Sequence, residues 1–175
     1  MIIFLNGVAT SGKTSIIHQL QKQATFPLLK LGVDNFLDMM PSDYYGWGPK
    51  AKDGIQFVIE EDEKGPITRV YNGDFGRAIL HSIPPAIALL ASRGLRIACD
   101  EVLFHDYYLT EYTKAFKGLR AYCIAVHCDL DELIRREQKR GGVSIGLGRD
   151  QINKVHSPTR FYDLEVDTTH TSSVD

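Results

Sequence analysis

Residues 7–14 read Gly-Val-Ala-Thr-Ser-Gly-Lys-Thr, and no other stretch limits the fold of this chain so tightly. They follow an apolar run, Met1–Leu5, and precede an amphipathic segment, Thr14–Gln23, with Ile16, Ile17 and Leu20 on one face. Gly7, Gly12, Lys13 and Thr14 satisfy every fixed position of the G-x-x-x-x-G-K-[ST] spacing. Such a turn between strand and helix folds its backbone so that successive N–H groups converge on one anion. Gly7, Val8, Ala9, Thr10, Ser11, Gly12, Lys13 and Thr14 are therefore expected to cradle the phosphates of a nucleotide. Lys13 would place a positive charge at the terminal phosphates, and the Thr14 hydroxyl would ligate Mg²⁺. The helix that begins there adds its N-terminal dipole. The expected ligands are ATP and Mg²⁺.

The remaining sequence alternates short apolar runs with longer amphipathic ones. After the buried strand Met1–Leu5, Pro27–Val33 reads as a second strand, Leu95–Cys99 and Ala121–Val126 as further buried strands, and Phe161–Val166 as the last strand. Helices are expected at Gly73–Arg93, Tyr107–Phe116, Asp129–Arg140 and Asp150–Val155, with Pro84-Pro85 kinking or dividing the first. Ile55–Glu60 and Ile67–Tyr71, joined by Asp-Glu-Lys-Gly-Pro, read as a β-hairpin. Strands apolar on both faces belong in a parallel sheet covered on both sides. The pattern predicts an α/β protein: a three-layer α/β/α P-loop NTPase fold with a five-stranded parallel sheet and a small β-hairpin insertion. One domain, 1–175, accounts for the length, with 35–72 as an insertion and 136–150 as a lid.

In such sheets ligands sit beyond the carboxyl ends of the strands. Asp100 ends the Leu95–Cys99 strand, where a carboxylate can hold Mg²⁺ or its water, and Glu101 points to the other face if the strand continues. Asp34 ends the second strand. It can accept the proton of an attacking hydroxyl or cap the helix after it, and spacing alone does not separate these roles. Arg135, Arg136, Lys139 and Arg140 crowd a helix end before Gly141-Gly142, with Arg149 across the glycine-rich loop. Basic residues there complement the helix dipole. In a triphosphate-binding chain they also suit a lid that closes over the transferring group, with Arg136 and Arg140 four residues apart on one face.

Several classes of function are disfavoured. The formal net charge of −2 gives no electrostatic case for nucleic acid. Met1–Leu5 lacks the basic flank of a signal peptide, and no apolar run approaches the about 20 residues of a membrane span. Cys99, Cys123 and Cys128 have no C-x-x-C spacing and read as small hydrophobes in a reducing compartment, so a cytoplasmic protein is expected. Oligomeric state is not encoded in any of these patterns.

Four elements together carry a family resemblance. They are the phosphate loop after the first strand, Gly32-Val33-Asp34 after the second, Arg136-Glu137-x-x-Arg140-Gly141, and Tyr162-Asp163-Leu164-Glu165-Val166-Asp167-Thr168-Thr169-His170. Over nearly its whole length the chain resembles the chloramphenicol phosphotransferase family, whose members are small P-loop kinases. The resemblance implies that residues 7–14 bind ATP, that Asp34 is the catalytic base and that the lid runs through Arg140. It further implies that the hairpin and the aromatic stretch from Met39 to Trp47 line the pocket of a small hydroxylated acceptor. The chain departs from the family in reading Arg140-Gly141-Gly142-Val143 where the lid commonly continues Arg-Gly-Asp-Arg, and it ends at Asp175 where a further helix is expected. Two other readings stand beside an ATP-dependent phosphotransferase. One is a nucleotide switch without transfer, and the other a gluconate- or shikimate-type kinase with the same fold.

Overall fold

The computed structural model describes residues 1–141, 145–156, 160 and 162–171. In chain order the elements are β1 (Ile2–Asn6), α1 (Lys13–Gln23), β2 (Leu29–Gly32), α2 (Val33–Leu37), β3 (Tyr45–Gly46), β4 (Ile55–Asp62), β5 (Gly65–Asn72) and α3 (Asp74–Ser92). They continue with β6 (Ile97–Glu101), α4 (Asp106–Ala115), β7 (Ala121–His127), α5 (Leu130–Arg140), α6 (Leu147–Val155) and β8 (Leu164–Asp167). Five strands form one parallel sheet in the order β2-β6-β1-β7-β8.

Alternation along the strands sends side chains to two separate cores. Ile2 and Phe4 of β1 and Ile97 and Cys99 of β6 pack with Ile83 and Ile87 of α3 and Tyr112 of α4. Leu5 and Ala98, one residue out of phase, pack with Ile17 of α1 on the opposite face. The sheet is thus covered on both sides, as its apolar strands require. A third cluster joins Val8 after β1 to Leu133 of α5 and Val155 of α6.

Helix α3 runs through Pro84 and Pro85 as one element instead of dividing there. Each proline removes one N–H from the helix ladder, but Ile83 and Ile87 on either side are fully buried and hold the helix against the sheet. By length and composition α3, at 19 residues and mean hydropathy 1.2, could span a membrane; here it covers one face of the sheet. The hairpin is present as β4 and β5, antiparallel over Ile55–Asn72, with the short β3 added parallel to β4. Most boundaries shift by one or two residues from the sequence reading, so that β6 runs on through Asp100 to Glu101, and the starts of α6 and β8 shift furthest. Helix α6 begins at Leu147, because Glu137 accepts hydrogen bonds from the backbone N–H groups of Gly146 and Gly148 (3.1 and 2.6 Å). The last strand begins at Leu164, and residue 161, where it was expected to start, lies outside the described residues. The three cysteines are unpaired.

Candidate active site

Register brings the site together. Gly32 of β2 pairs with Asp100 of β6, and Asn6 of β1 pairs with Glu101, so three strands end level with one another. The glycine loop after β1, Asp34 after β2 and the acids ending β6 therefore meet at one edge of the sheet. Gly32 explains how closely. A Cβ built there would lie 2.2 Å from the Asp100 carbonyl oxygen, so only glycine lets β2 approach β6 at this point.

The loop Gly7–Gly12 turns into α1 through Gly12, whose φ of 96° is the left-handed conformation that favours glycine. Lys13 is buried, and its Nζ donates to the carbonyl oxygens of Gly7 and Val8 (2.9 and 2.8 Å) and lies 3.6 Å from Asp100. Burial pushes Lys13 below the ordinary lysine value, while Asp100, Asp34 and Glu101 oppose that shift. The Thr14 hydroxyl donates to Asp100 Oδ2. These are hard oxygen donors at the mouth of a phosphate loop, the donor set that Mg²⁺ prefers.

Three supports of the loop escaped sequence reasoning. Gln151 of α6 accepts from the Ala9 N–H (2.7 Å). The Thr168 hydroxyl donates to Ser11 O (2.7 Å), which gives the Thr-Thr segment after β8 a structural task. Asn6 accepts from Leu103 N–H (3.0 Å) and donates to Val155 O and the Tyr162 hydroxyl, tying the start of the loop to the segment after β6. A polar residue closing a buried strand was the one available signal for Asn6. Nothing local marked Gln151.

Asp34 sits in the first turn of α2, yet it is not the cap. The Asn35 side chain accepts from the Gly32 N–H (3.0 Å), leaving Asp34 free to face a cavity of about 950 Å³. The same cavity is bordered by Thr10, Lys13, Thr14 and Asp100. Although the Asp34 side chain is exposed, its exposure is into this cavity. Loss of solvation there, reinforced by the negative charge of Asp100, raises its pKa above the usual aspartate value against the pull of Lys13. Glu101 occupies the opposite face of β6 and is 2% exposed. Burial pushes its carboxyl up to about 8, with Tyr112 and Lys13 opposing and Asp100 and Asp34 adding to the rise.

The arginines separate. Arg140 borders the cavity, is exposed, and has no hydrogen-bonded or ionic partner among the described residues. Arg136 turns away from it: the guanidinium pairs with Glu132 (2.7 Å) and donates to Thr168 O, Thr168 Oγ1 and Thr10 O. Arg149 is held by Asp62 and by the carbonyls of Gly65 and Pro66, which fastens the start of α6 to the hairpin turn. Within the span 136–150, residues 142–144 lie outside the described residues.

The aromatic stretch contributes less to the cavity than the sequence implied. Tyr45 borders it, but Trp47 packs edge-on against Phe57, Tyr44 against Phe75, and Met40 is buried. These side chains build the wall beneath the hairpin instead of lining the cavity.

Comparison with known proteins places this arrangement. The sequence model of the family described as chloramphenicol phosphotransferase-like protein matches residues 1–175. Proteins from two strains of Mycobacterium tuberculosis, provisionally named O-phosphotransferases, are 28% identical over 97% of this chain and 76% of their own length. Among solved structures, a sugar kinase from Janibacter sp. superposes with a TM-score of 0.63 at 18% identity, covering 95% of this chain and 84% of that one. The M. tuberculosis APS kinase CysC, solved with AMPPNP and APS, superposes with a TM-score of 0.62 at 14% identity, covering 99% and 90%. The fold is that of the P-loop kinases, and the chain belongs to the chloramphenicol phosphotransferase-like family, as a small-molecule phosphotransferase.

Proposed function

We propose that this member of the chloramphenicol phosphotransferase-like family moves the γ-phosphate of ATP to a hydroxyl of a small organic molecule, with Asp34 accepting the hydroxyl proton. The position of Asp34 carries the reading. Its carboxylate shares a cavity with Lys13, Thr14 and Asp100, and Asn35 has relieved it of capping α2. A carboxylate of raised basicity, aimed at the place where a second substrate meets the phosphates, suits general-base work.

In the proposed reaction the acceptor oxygen forms a bond to the γ-phosphorus as the bond from that phosphorus to the β–γ bridging oxygen breaks. ADP departs, and the acceptor proton moves to Asp34. Little more is asked of the protein than position and charge. The loop amides from Gly7 to Thr14 and the Lys13 ammonium hold the phosphates. Thr14 and Asp100 would hold Mg²⁺, which when bound neutralises charge on the phosphate oxygens. Arg140, on the cavity side of α5, is assigned to the transferring group. Arg136 is assigned to bracing the loop through Thr10 and Thr168. Residues 35–72 serve as the acceptor-side insertion and 136–150 as the lid. The oxygen acceptor accords with the name of the M. tuberculosis relatives. ATP as donor and three unpaired cysteines both suit the cytoplasm.

A screen that follows ATP consumption across hydroxylated metabolites and antibiotics, with phosphorus NMR of the products, tests the reading. The expected outcome is a phosphate ester on at least one alcohol. ATP hydrolysis or binding with no esterified alcohol across the panel would favour the nucleotide-switch reading instead.

A further inference from the structure

The phosphate loop is strained at Thr10. Among the described residues, Thr10 alone of the non-glycine residues has a positive φ, at 60°. A β-branched residue resists that left-handed conformation, and such strain persists only where the surrounding structure imposes it. Three side chains from outside the loop impose it here. Gln151 accepts from the Ala9 N–H (2.7 Å), Arg136 donates to Thr10 O (3.4 Å) and Thr168 donates to Ser11 O (2.7 Å). Thr10 and both of its neighbours are therefore tethered, each to a different part of the chain. Arg136 lies on α5 and Thr168 follows β8, whereas Gln151 lies on α6 and is 3% exposed.

What holds α6 sets Gln151 apart from the other two tethers. The residues just before it are fastened to the hairpin. Arg149 pairs with Asp62 and donates to the carbonyl oxygens of Gly65 and Pro66 (2.8 and 2.7 Å). Asp150 pairs with Arg69 of β5 (3.2 Å). Ahead of the helix, Ile145 O accepts from both the N–H and the hydroxyl of the fully buried Thr68 (3.0 and 2.8 Å). Successive helix residues point about 100° apart. Arg149 and Asp150 thus reach the hairpin while the next residue reaches the phosphate loop. At the other end of α6, Val155 shares a buried cluster with Val8 of the loop. The helix is a strut of nine residues, bolted to the hairpin on one side and to the loop on the other. An N–H that donates to Gln151 is not free for a phosphate, so this tether acts on the shape of the loop.

We propose that Gln151 is a positioning residue for the nucleotide, and that through α6 the β4–β5 hairpin serves as an external brace of the phosphate loop. Nucleotide affinity then depends on hairpin residues outside the cavity. The inference rests on the ATP-binding part of the proposed function, and neither on transfer nor on the identity of the acceptor.

The test is titration calorimetry of a non-hydrolysable ATP analogue with Mg²⁺ and no acceptor present. Gln151→Met keeps the length of the side chain and removes its accepting oxygen. It is expected to weaken binding about fivefold, the worth of one ordinary hydrogen bond. Gln151 itself borders the cavity, but Thr68 and Arg69 do not. A Thr68→Val, Arg69→Met double variant cuts two of the links between hairpin and α6, and should weaken binding by at least about twofold. Adding Gln151→Met to it should cost less than the sum of the separate losses, because both act through one strut. In a Thr10→Gly background, where glycine accepts the left-handed conformation freely, Gln151→Met should lose most of its effect. A general loss of packing would add in full and would be indifferent to residue 10.

Unchanged affinity in Gln151→Met, unchanged affinity in the hairpin variant, or full additivity between them overturns the brace. Failure of the wild-type protein to bind the analogue would overturn the nucleotide reading and the brace together. The expected pattern of affinities in a protein that phosphorylates no alcohol upholds the brace while the transfer reading falls.

Discussion

The two halves of the cavity handle their polar groups in opposite ways. On the nucleotide side several polar side chains are already tied to the protein: Lys13 to Gly7 and Val8, Thr14 to Asp100, Gln151 to Ala9, Thr168 to Ser11, while Ser11 Oγ has no partner among the described residues. On the acceptor side Glu101, Tyr108 and Asn72 each leave an atom unpaired beside an apolar wall. The first half is built in advance for one invariant ligand, the phosphate chain. The second half is an apolar wall with a few polar atoms set into it. Asp34 and Gly32 lie on the seam, where β2 comes against β6.

The largest effect that would sharpen this comparison separates the arginines of α5. Arg140 faces the cavity and is expected to act on charge that grows in the transition state. Arg140→Ala should lower kcat by roughly 10²–10³, as loss of one preorganised donor does, with ATP affinity nearly kept. Arg136→Ala should instead weaken ATP binding by loosening the loop, with kcat at saturation largely retained. Steady-state kinetics in ATP check both, and a reversed pattern would break the division between loop support and transfer.

A smaller effect is expected at the seam. In Gly32→Ala the added methyl meets the backbone oxygen of Asp100, which cannot swing away as a side chain could. Overpacking of this kind costs roughly 1–3 kcal/mol, a fall in Tm of roughly 2–12 °C for a chain of this size. Thermal unfolding measures it, and an unchanged Tm would mean that β2 and β6 separate there at no cost.

A third effect concerns pH. The Glu101 carboxyl is raised from 4.5 to about 8 in the folded protein. Between those values the native state holds a proton that the unfolded chain has released. This contribution is therefore fully present below pH 4.5 and is lost as pH rises through about 8. Urea unfolding across that window should show stability declining with pH relative to Glu101→Gln, which does not titrate.

The same contrast explains what could be read from sequence. The nucleotide side lies in one eight-residue motif flanked by a strand and a helix, so its residues and placement were legible. So was the five-stranded sheet, because its central strands are buried and mostly apolar, although the edge strand β8, Leu-Glu-Val-Asp, is largely exposed. Asp34 was legible as a candidate only. Its freedom depends on Asn35 taking the cap, and a sequence cannot show which of two adjacent polar residues turns inward. The acceptor side draws on β5, β6, α4 and α2, segments up to 74 residues apart between Asp34 and Tyr108, and no local pattern announces such a convergence. The family resemblance implied that Trp47 and Tyr44 line the pocket, but an aromatic ring packs a wall as readily as it lines a cavity. Arg136 and Arg140 share a helix and a spacing. Glu132 one turn back, Thr10 in the loop and Thr168, brought in by β8, together draw one of them away.

The role of Asp34 is decided by the transfer rate of Asp34→Asn, using an alcohol accepted by the wild-type protein, beside its affinity for a non-hydrolysable ATP analogue. Asparagine keeps the shape of the side chain and removes its basicity. Transfer is expected to slow by roughly 10²–10⁴, the usual worth of a general base, with the nucleotide bound as tightly as before. Transfer at the wild-type rate would contradict the assignment of Asp34 as the base.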